Sequence, residues 1–255
     1  MTEALRQGKP TDVSPCRTVT QAVILAGGLG TRMRPVTETI PKPMIPVAGK
    51  PFLQHQLELL RAYRIRDVLL LVAYRGKQIE EHFGDGAGHR CRITYLHEPS
   101  PLGTGGALKR AGALLHDAFV LLNGDTYLAM DYGALMAKFA AFDCMALIVA
   151  YKKSPERISS ALADTLPNNL IVLEDGRVSA YRKRDPKGMT HIDAGVIVLG
   201  KEILGWLPEG RPFSLEEEIY PRLIAEGQMR AWVTTEPFYD MGSHEGLAAL
   251  EAKLQ

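Results

Sequence analysis

The sequence predicts an α/β fold: a mainly parallel mixed sheet with helices on both faces, and a smaller β-rich portion in its second half. Three observations carry this. Runs such as "QAVILA" (21–26), "DVLLLVAY" (67–74) and "AFVLLNGD" (118–125) are apolar almost throughout, as strands buried on both faces are. Segments of helical periodicity stand between them. From residue 169 the texture changes to short strands around an Asp-Gly turn.

Each element follows in order. The first strand (21–26) runs into glycines. "FLQHQLELLRAYRI" (52–65) has the helical period and leads to the strand 67–74. "GKQIEEHFG" (76–84) is a short helix stopped by glycine, and "CRITYLHE" (91–98) is a third strand. "TGGALKRAGALL" (104–115) opens a helix ahead of the strand 118–125. A helix (132–142) and a strand (144–151) follow. "NLIVLEDGRVSAYRKR" (169–184) reads as a hairpin, and "IDAGVIVLG" (192–200) as one more strand. "SLEEEIYPRLIAEG" (214–227) is a helix with Ser214 as its cap and an end near Gly227. "RAWVTTEPFYDMG" (230–242) gives late strands, and a last helix spans 243–254. The expected organisation is a mobile tail over 1–19 and one catalytic domain over 20–255. Its halves divide near residue 150.

The bulk composition narrows the function classes. The 255 residues are 46% hydrophobic and 23% charged, as in an ordinary globular protein with a full core. A net charge of +1 argues against a nucleic-acid coat or a basic membrane surface, so any basic site is local. Residues 1–19 lack the apolar core of a secretory signal, and no apolar window reaches the length of a membrane span. Cys16, Cys91 and Cys144 are odd in number and without metal-ligand spacing. Reduced thiols and a cytoplasmic location are expected, with Cys91 and Cys144 as small buried hydrophobes.

The stretch after the first strand carries the chemistry. It is not a Walker A loop, because Thr31 and Arg32 follow Gly30 where Lys-Ser or Lys-Thr is needed. It is not the dinucleotide fingerprint, because Met33 stands at the third glycine position. It can still hold an anion. Gly27, Gly28 and Gly30 let successive N–H groups turn toward it, and Arg32 offers a forked donor for phosphate oxygens. Lys42, extended between Pro41 and Pro43, aims a further positive charge. A bare glycine turn would read as structure only; Thr-Arg and Pro-Lys-Pro beside it argue for a phosphate site.

"LAGGLGTRMRPVTETIPKPMIPVAGKP" resembles the signature of the sugar-1-phosphate nucleotidyltransferases (NDP-sugar pyrophosphorylases). "EPSPLGTGGAL", "LLNGDTY", "YRKRDP", "IDAGVIVL" and "FYDMGSHEGL" fall in that family's order, so the resemblance covers about residues 21–247. It implies the Rossmann-like fold of nucleotide-diphospho-sugar transferases, with the β-rich portion binding the sugar. It also implies the reaction: a sugar-1-phosphate oxygen attacks the α-phosphorus of an NTP, giving an NDP-sugar and pyrophosphate. A phosphate oxygen is already a nucleophile. The protein must align two polyanions and supply positive charge where it is needed.

The resemblance distributes the roles. Leu25, Ala26, Gly27, Gly28, Gly30, Thr31 and Arg32 would hold the triphosphate, with Lys42 at the α-phosphate. Gly103, Thr104, Asn123 and Gly124 would line the nucleotide. Asp125 and Asp240 would hold Mg²⁺, a hard ion for carboxylate and phosphate oxygens. Arg32, Lys42 and Asp125 are thus the expected catalytic set. The family's sugar-phosphate lysine maps to Lys183, but Arg182 and Arg184 replace its usual Glu and Pro neighbours. Asp193, Gly195 and Glu216 are expected at the sugar. For Glu216 or Glu217, favourable first-turn charge on a helix is an equal reading.

Glu98 bears on the base. Relatives that use thymidylyl groups carry glutamine there. A carboxylate can accept both N1–H and the 2-amino group of guanine, whereas uracil or thymine would set carbonyls against it. GTP is therefore expected, with a heptose or mannose 1-phosphate, since the chain most resembles the heptose- and short mannose-1-phosphate guanylyltransferases. The alternatives are a uridylyl- or thymidylyltransferase on a hexose or amino-sugar phosphate, and a non-catalytic sugar-nucleotide sensor. A glycosyltransferase would need a second aspartate after Asp125-Thr126, and a molybdenum-cofactor nucleotidyltransferase would lack the Pro-Lys-Pro segment. A homo-oligomer is expected by the same resemblance.

Overall fold

A computed structural model describes residues 17–153 and 168–255. In chain order, β1 (Gln21–Ala26) is followed by a two-strand ribbon, β2 (Pro46–Val47) and β3 (Lys50–Pro51), and by α1 (Phe52–Ala62). Next come β4 (Asp67–Val72), α2 (Gly76–Phe83), β5 (Arg92–His97), α3 (Gly103–Arg110) and β6 (Ala118–Asn123). Then β7 (Thr126–Leu128), α4 (Tyr132–Ala141) and β8 (Ala146–Lys152) precede the hairpin β9 (Asn168–Val172) and β10 (Val178–Lys183). The chain continues through β11 (His191–Gly200), α5 (Tyr220–Ala225), β12 (Met229–Thr234), β13 (Phe238–Asp240) and α6 (His244–Leu254).

β1 is central. It pairs in parallel with β4 on one side and β6 on the other, and β5 extends the sheet beyond β4. β11 runs antiparallel between β6 and β8, and β12 lies parallel to β8. The β9–β10 hairpin attaches to the start of β11. The sheet is therefore Rossmann-like in its first half. In the second half β8 to β12 continue the same sheet, while β13 pairs with β7 in a separate two-stranded ribbon. The alternation of Val23 and Ile24 shows why both faces are apolar. Val23 belongs to one apolar cluster with Ala107, Leu108 and Tyr220, while Ile24 belongs to another with Leu53, Leu57 and Phe139. A third cluster of Met33, Ile45, Val47, Phe52, Met241 and Leu250 clamps the segment after the glycine loop to α6.

Several expected boundaries shift. The helix expected over 52–65 stops at Ala62, and Arg64 turns left-handed at φ 64°. The helix expected over 104–115 ends at Arg110. Ser214 does cap the next helical segment, accepting from the Glu217 amide, but residues 215–219 form a wide π-type turn before α5 begins. The tail expected through residue 19 ends earlier. Arg17 donates to the Cys144 carbonyl at 2.5 Å and pairs with Glu202, and Val19 is buried. The first 16 residues, Cys16 among them, lie outside the described residues. Cys144 is buried and its thiol is pushed up to about 11 by burial; Cys91 is only half-buried. No helix among the described residues is long and apolar enough to cross a membrane.

One backbone approach fixes where β1 meets β6. The Gly124 amide donates to the Leu25 carbonyl at 3.0 Å, and a Cβ on residue 124 would lie 2.3 Å from that oxygen. Gly124→Ala is therefore expected to destabilise the protein by about 1–3 kcal/mol, read as a lower urea midpoint. An unchanged midpoint would mean the two strand ends do not approach this closely.

Candidate active site

The strand order reverses between β1 and β6, and a ligand cleft belongs at such a switch point. A cleft of about 650 Å³ opens there. Every residue expected at the nucleotide lines it except Gly30, Thr31 and Arg32, and Asp125, Lys183 and Glu216 line it as well. Gly28 faces open space. Gly27 lies against Glu98, whose Oε1 would be 3.0 Å from an added Cβ. Gly30 has a different task. Its φ of 61° and the Thr37 methyl, 2.8 Å from where a Cβ would stand, make it the tight corner of the loop. The Thr37 hydroxyl donates to its carbonyl at 2.9 Å.

Lys42 opens a short 3₁₀ turn instead of lying in the extended segment expected of it. The turn buries its stem (8% exposed) and sets Nζ 2.6 Å from Asp125 Oδ2. Asp240 arrives from β13, which pairs with β7 so that Asp240 faces Thr126. The Met241 amide donates to the Asp125 carbonyl at 2.8 Å. The two aspartates thus stand on neighbouring strands. Burial raises the Asp240 carboxyl above its usual range, and the negative charge of Asp125 adds to it. Arg32 is drawn toward this pair, 3.8 Å from Asp240, and lines a second cavity of about 130 Å³ beside the cleft. Its side chain is 63% exposed, so the pairing is weak.

Two carboxylates that repel each other, with no nitrogen or sulfur ligand, fit a hard divalent cation completed by substrate oxygens. No group of three or more His, Cys, Asp or Glu side chains suited to a metal occurs among the described residues.

Glu98 follows β5 and is half-buried, which raises its carboxyl pKa. Its Oε2 accepts the Leu102 amide at 3.1 Å. One edge of the carboxylate is thus tied to main chain, while spare lone pairs remain toward the cleft.

At the far end, Gly103 and Gly105 let the 211–214 segment pack directly on α3. A Cβ at Gly103 would meet the Phe213 carbonyl at 2.4 Å. This brings Glu216 within 2.7 Å of the Thr104 hydroxyl and 2.5 Å of Ser214. Lys183 points inward near Glu217, at 3.7 Å. Arg182, one residue earlier, points outward and pairs with Asp185, as strand alternation requires. Arg184 is exposed at φ 70°. Asp193 and Gly195 do not line the main cleft but border the smaller cavities beside it. Asp193 accepts from Tyr181 and from the Gly195 amide, both at 2.8 Å. Burial pushes its carboxyl up to about 6, against the lowering effect of those bonds.

Three supporting residues were not legible in the sequence. Gln56 donates from α1 to the carbonyls of Asn123 and Thr126, both at 2.9 Å, and grips the turn that carries Asp125. Tyr181 holds Asp193, and its only signal is sharing a strand face with Lys183. Asn168 lines both cavities.

An anion-accommodating glycine loop, an adjacent lysine and paired carboxylates at the switch point define a nucleotide-binding α/β protein. The chain belongs to the nucleotidyl transferase family, whose pattern matches residues 21–158. It is similar to a mannose-1-phosphate guanylyltransferase of Mycobacterium tuberculosis, 33% identical over 91% of this chain and 64% of that protein. The chain thus spans under two thirds of that relative's length. It is also similar to the D-glycero-alpha-D-manno-heptose 1-phosphate guanylyltransferase of Campylobacter jejuni, 33% identical over 88% of this chain and 96% of the relative. The crystal structure of HddC from Yersinia pseudotuberculosis complexed with GMP-PN superposes with a TM-score of 0.79 at 29% identity, covering 93% and 100% of the two chains.

The Asp193 environment has a measurable consequence. An ordinary aspartate loses its proton near 3.8, whereas Asp193 in the folded chain keeps it to about 6. Between these values the folded state binds the extra proton, so this group's contribution to stability falls as pH rises through the window. Asp193→Asn should flatten the fall in urea midpoint between about pH 4 and 6 relative to the parent. An identical pH dependence in both proteins would contradict the assignment.

Proposed function

We propose that this protein transfers a guanylyl group from GTP to a sugar 1-phosphate of the heptose or mannose type, releasing pyrophosphate. The observation that carries this is a single cleft with two cationic side chains. Lys42, the Gly27–Gly28 loop, Lys183 and Asp125 all line it. A cleft so lined suits two phosphorylated ligands.

In this reading a phosphate oxygen of the sugar 1-phosphate attacks the α-phosphorus. The bond from the α-phosphorus to the bridging oxygen breaks, and pyrophosphate leaves with that electron pair. Lys183 holds the attacking phosphate. The loop amides hold the triphosphate, and Arg32, close to Asp240, turns to the leaving phosphates. Lys42 exchanges Asp125 for the α-phosphate oxygens, placing its charge where negative charge accumulates. Asp125 and Asp240 hold Mg²⁺, which when bound offsets phosphate charge as a Lewis acid. Glu98 accepts the N1–H and 2-amino group of guanine. Thr104 fixes Glu216 for a sugar hydroxyl. The GMP-PN complex of the Yersinia protein and the guanylyl-transferring relatives support the choice of base.

The test is a matrix of GTP, UTP and dTTP against hexose and heptose 1-phosphates, read as Mg²⁺-dependent pyrophosphate release. GTP with a manno-configured phosphate is expected to dominate. Release only with UTP or dTTP would remove the Glu98 reading, and none with any pair would remove the enzyme. Asp125→Asn should lower turnover by at least about a hundredfold with the fold retained. Near-normal rates in that variant would refute the metal assignment.

A further inference from the structure

Asn168 opens β9 and stands opposite Lys183 in the antiparallel pairing of β9 with β10. Directly opposed side chains lie about 4.5–5.5 Å apart at Cβ on one face of the sheet. Asn168 lines the main cleft and the smaller cavity beside it. Its Oδ1 is buried and accepts no hydrogen bond among the described residues. The polar groups around it are engaged. Asp193 is held by Tyr181 and Gly195, and Glu216 by Thr104 and Ser214. Gln56 also has an unpaired oxygen, but it lies behind the turn carrying Asp125 and lines none of the cavities described above. A buried acceptor without a donor is destabilising, and with no bond to hold it the Asn168 amide can turn its oxygen into the cleft that the residue lines, where a ligand supplies the donor.

We infer that Asn168 reads the 2-hydroxyl of the sugar 1-phosphate, its Oδ1 accepting the hydroxyl proton. The inference rests on the transfer reaction proposed above. Lys183 places the 1-phosphate, so the atoms nearest Asn168 are those flanking the anomeric carbon. Of the two, the ring oxygen carries no proton and the 2-hydroxyl carries one. Only the latter satisfies an amide oxygen. The hydroxyl at that carbon is axial in manno sugars and equatorial in gluco sugars, so Asn168 discriminates configuration as well as presence. The nearby Asp193 and Asp240 carboxyls disfavour a second anion in this corner and favour a neutral hydroxyl.

The test compares the sugar 1-phosphate that the parent protein turns over best with its 2-deoxy counterpart, in the parent and in Asn168→Leu. The parent should lose roughly ten- to a hundredfold in kcat/KM on the 2-deoxy substrate. Asn168→Leu should lose a similar factor on the full substrate and nothing further on the 2-deoxy one, with KM for GTP unchanged. Its thermal midpoint should be no lower than the parent's, since an unpaired buried acceptor has been removed. Continued discrimination by Asn168→Leu, or an equal loss on both substrates, would overturn the inference. So would a parent protein that turns over both sugars alike, a comparison that needs no variant. That outcome leaves the transfer reaction standing. A parent that turns over no sugar 1-phosphate removes both.

Discussion

The bond from the Gly124 amide to the Leu25 carbonyl joins the ends of β1 and β6, and the rest of the site depends on it. It places the loop leaving β1 beside the turn leaving β6, so the glycines and Asp125 face one space. Only a residue without a Cβ permits the approach. Gln56 then holds the turn from behind through two carbonyls, and Met241 ties the Asp125 carbonyl to the strand bearing Asp240. Backbone groups, with little conformational entropy left to lose, thus position the two carboxylates before any ligand arrives.

The charges in this corner alternate: Arg32 on Asp240, then Asp125 on Lys42. Within the protein alone they neutralise one another. The close Lys42–Asp125 pair occupies the space that substrate phosphate and a divalent ion would share. In the proposed reaction binding is an exchange of partners, in which a polyanion takes Lys42 and a cation takes the carboxylates. A part-buried ion pair of this kind offers little net stability, because desolvation of the lysine opposes its Coulomb attraction, and so such an exchange is energetically accessible.

The strands β1, β4 and β6 were legible because burial on both faces leaves an unbroken apolar run. The glycine loop and Lys42 were legible through local residue types, and Asp125 through the family resemblance. What sequence could not show were contacts between distant segments. Lys42 and Asp125 are 83 positions apart, and their pairing appears only when the 3₁₀ turn buries the lysine stem. Arg32 reads as a triphosphate ligand beside the loop, but the third apolar cluster draws its turn toward α6 and hence toward Asp240. The texture change at residue 169 marked the smaller β-rich portion, but strand composition does not reveal which sheet each strand joins. Asn168 gave no signal at all, since asparagines that follow a proline ahead of a strand are usually turn formers.

The central claim is direct transfer between two aligned phosphates. No histidine or cysteine lines the cleft among the described residues, and the Thr104 hydroxyl is committed to Glu216. The most direct measurement is the stereochemical course at phosphorus, using GTP with a chiral α-thiophosphate and reading the product configuration by phosphorus NMR. A single in-line displacement predicts inversion at the α-phosphorus. Retention would mean two displacements through a covalent nucleotidyl-protein intermediate, and would contradict a cleft that works by alignment and charge alone.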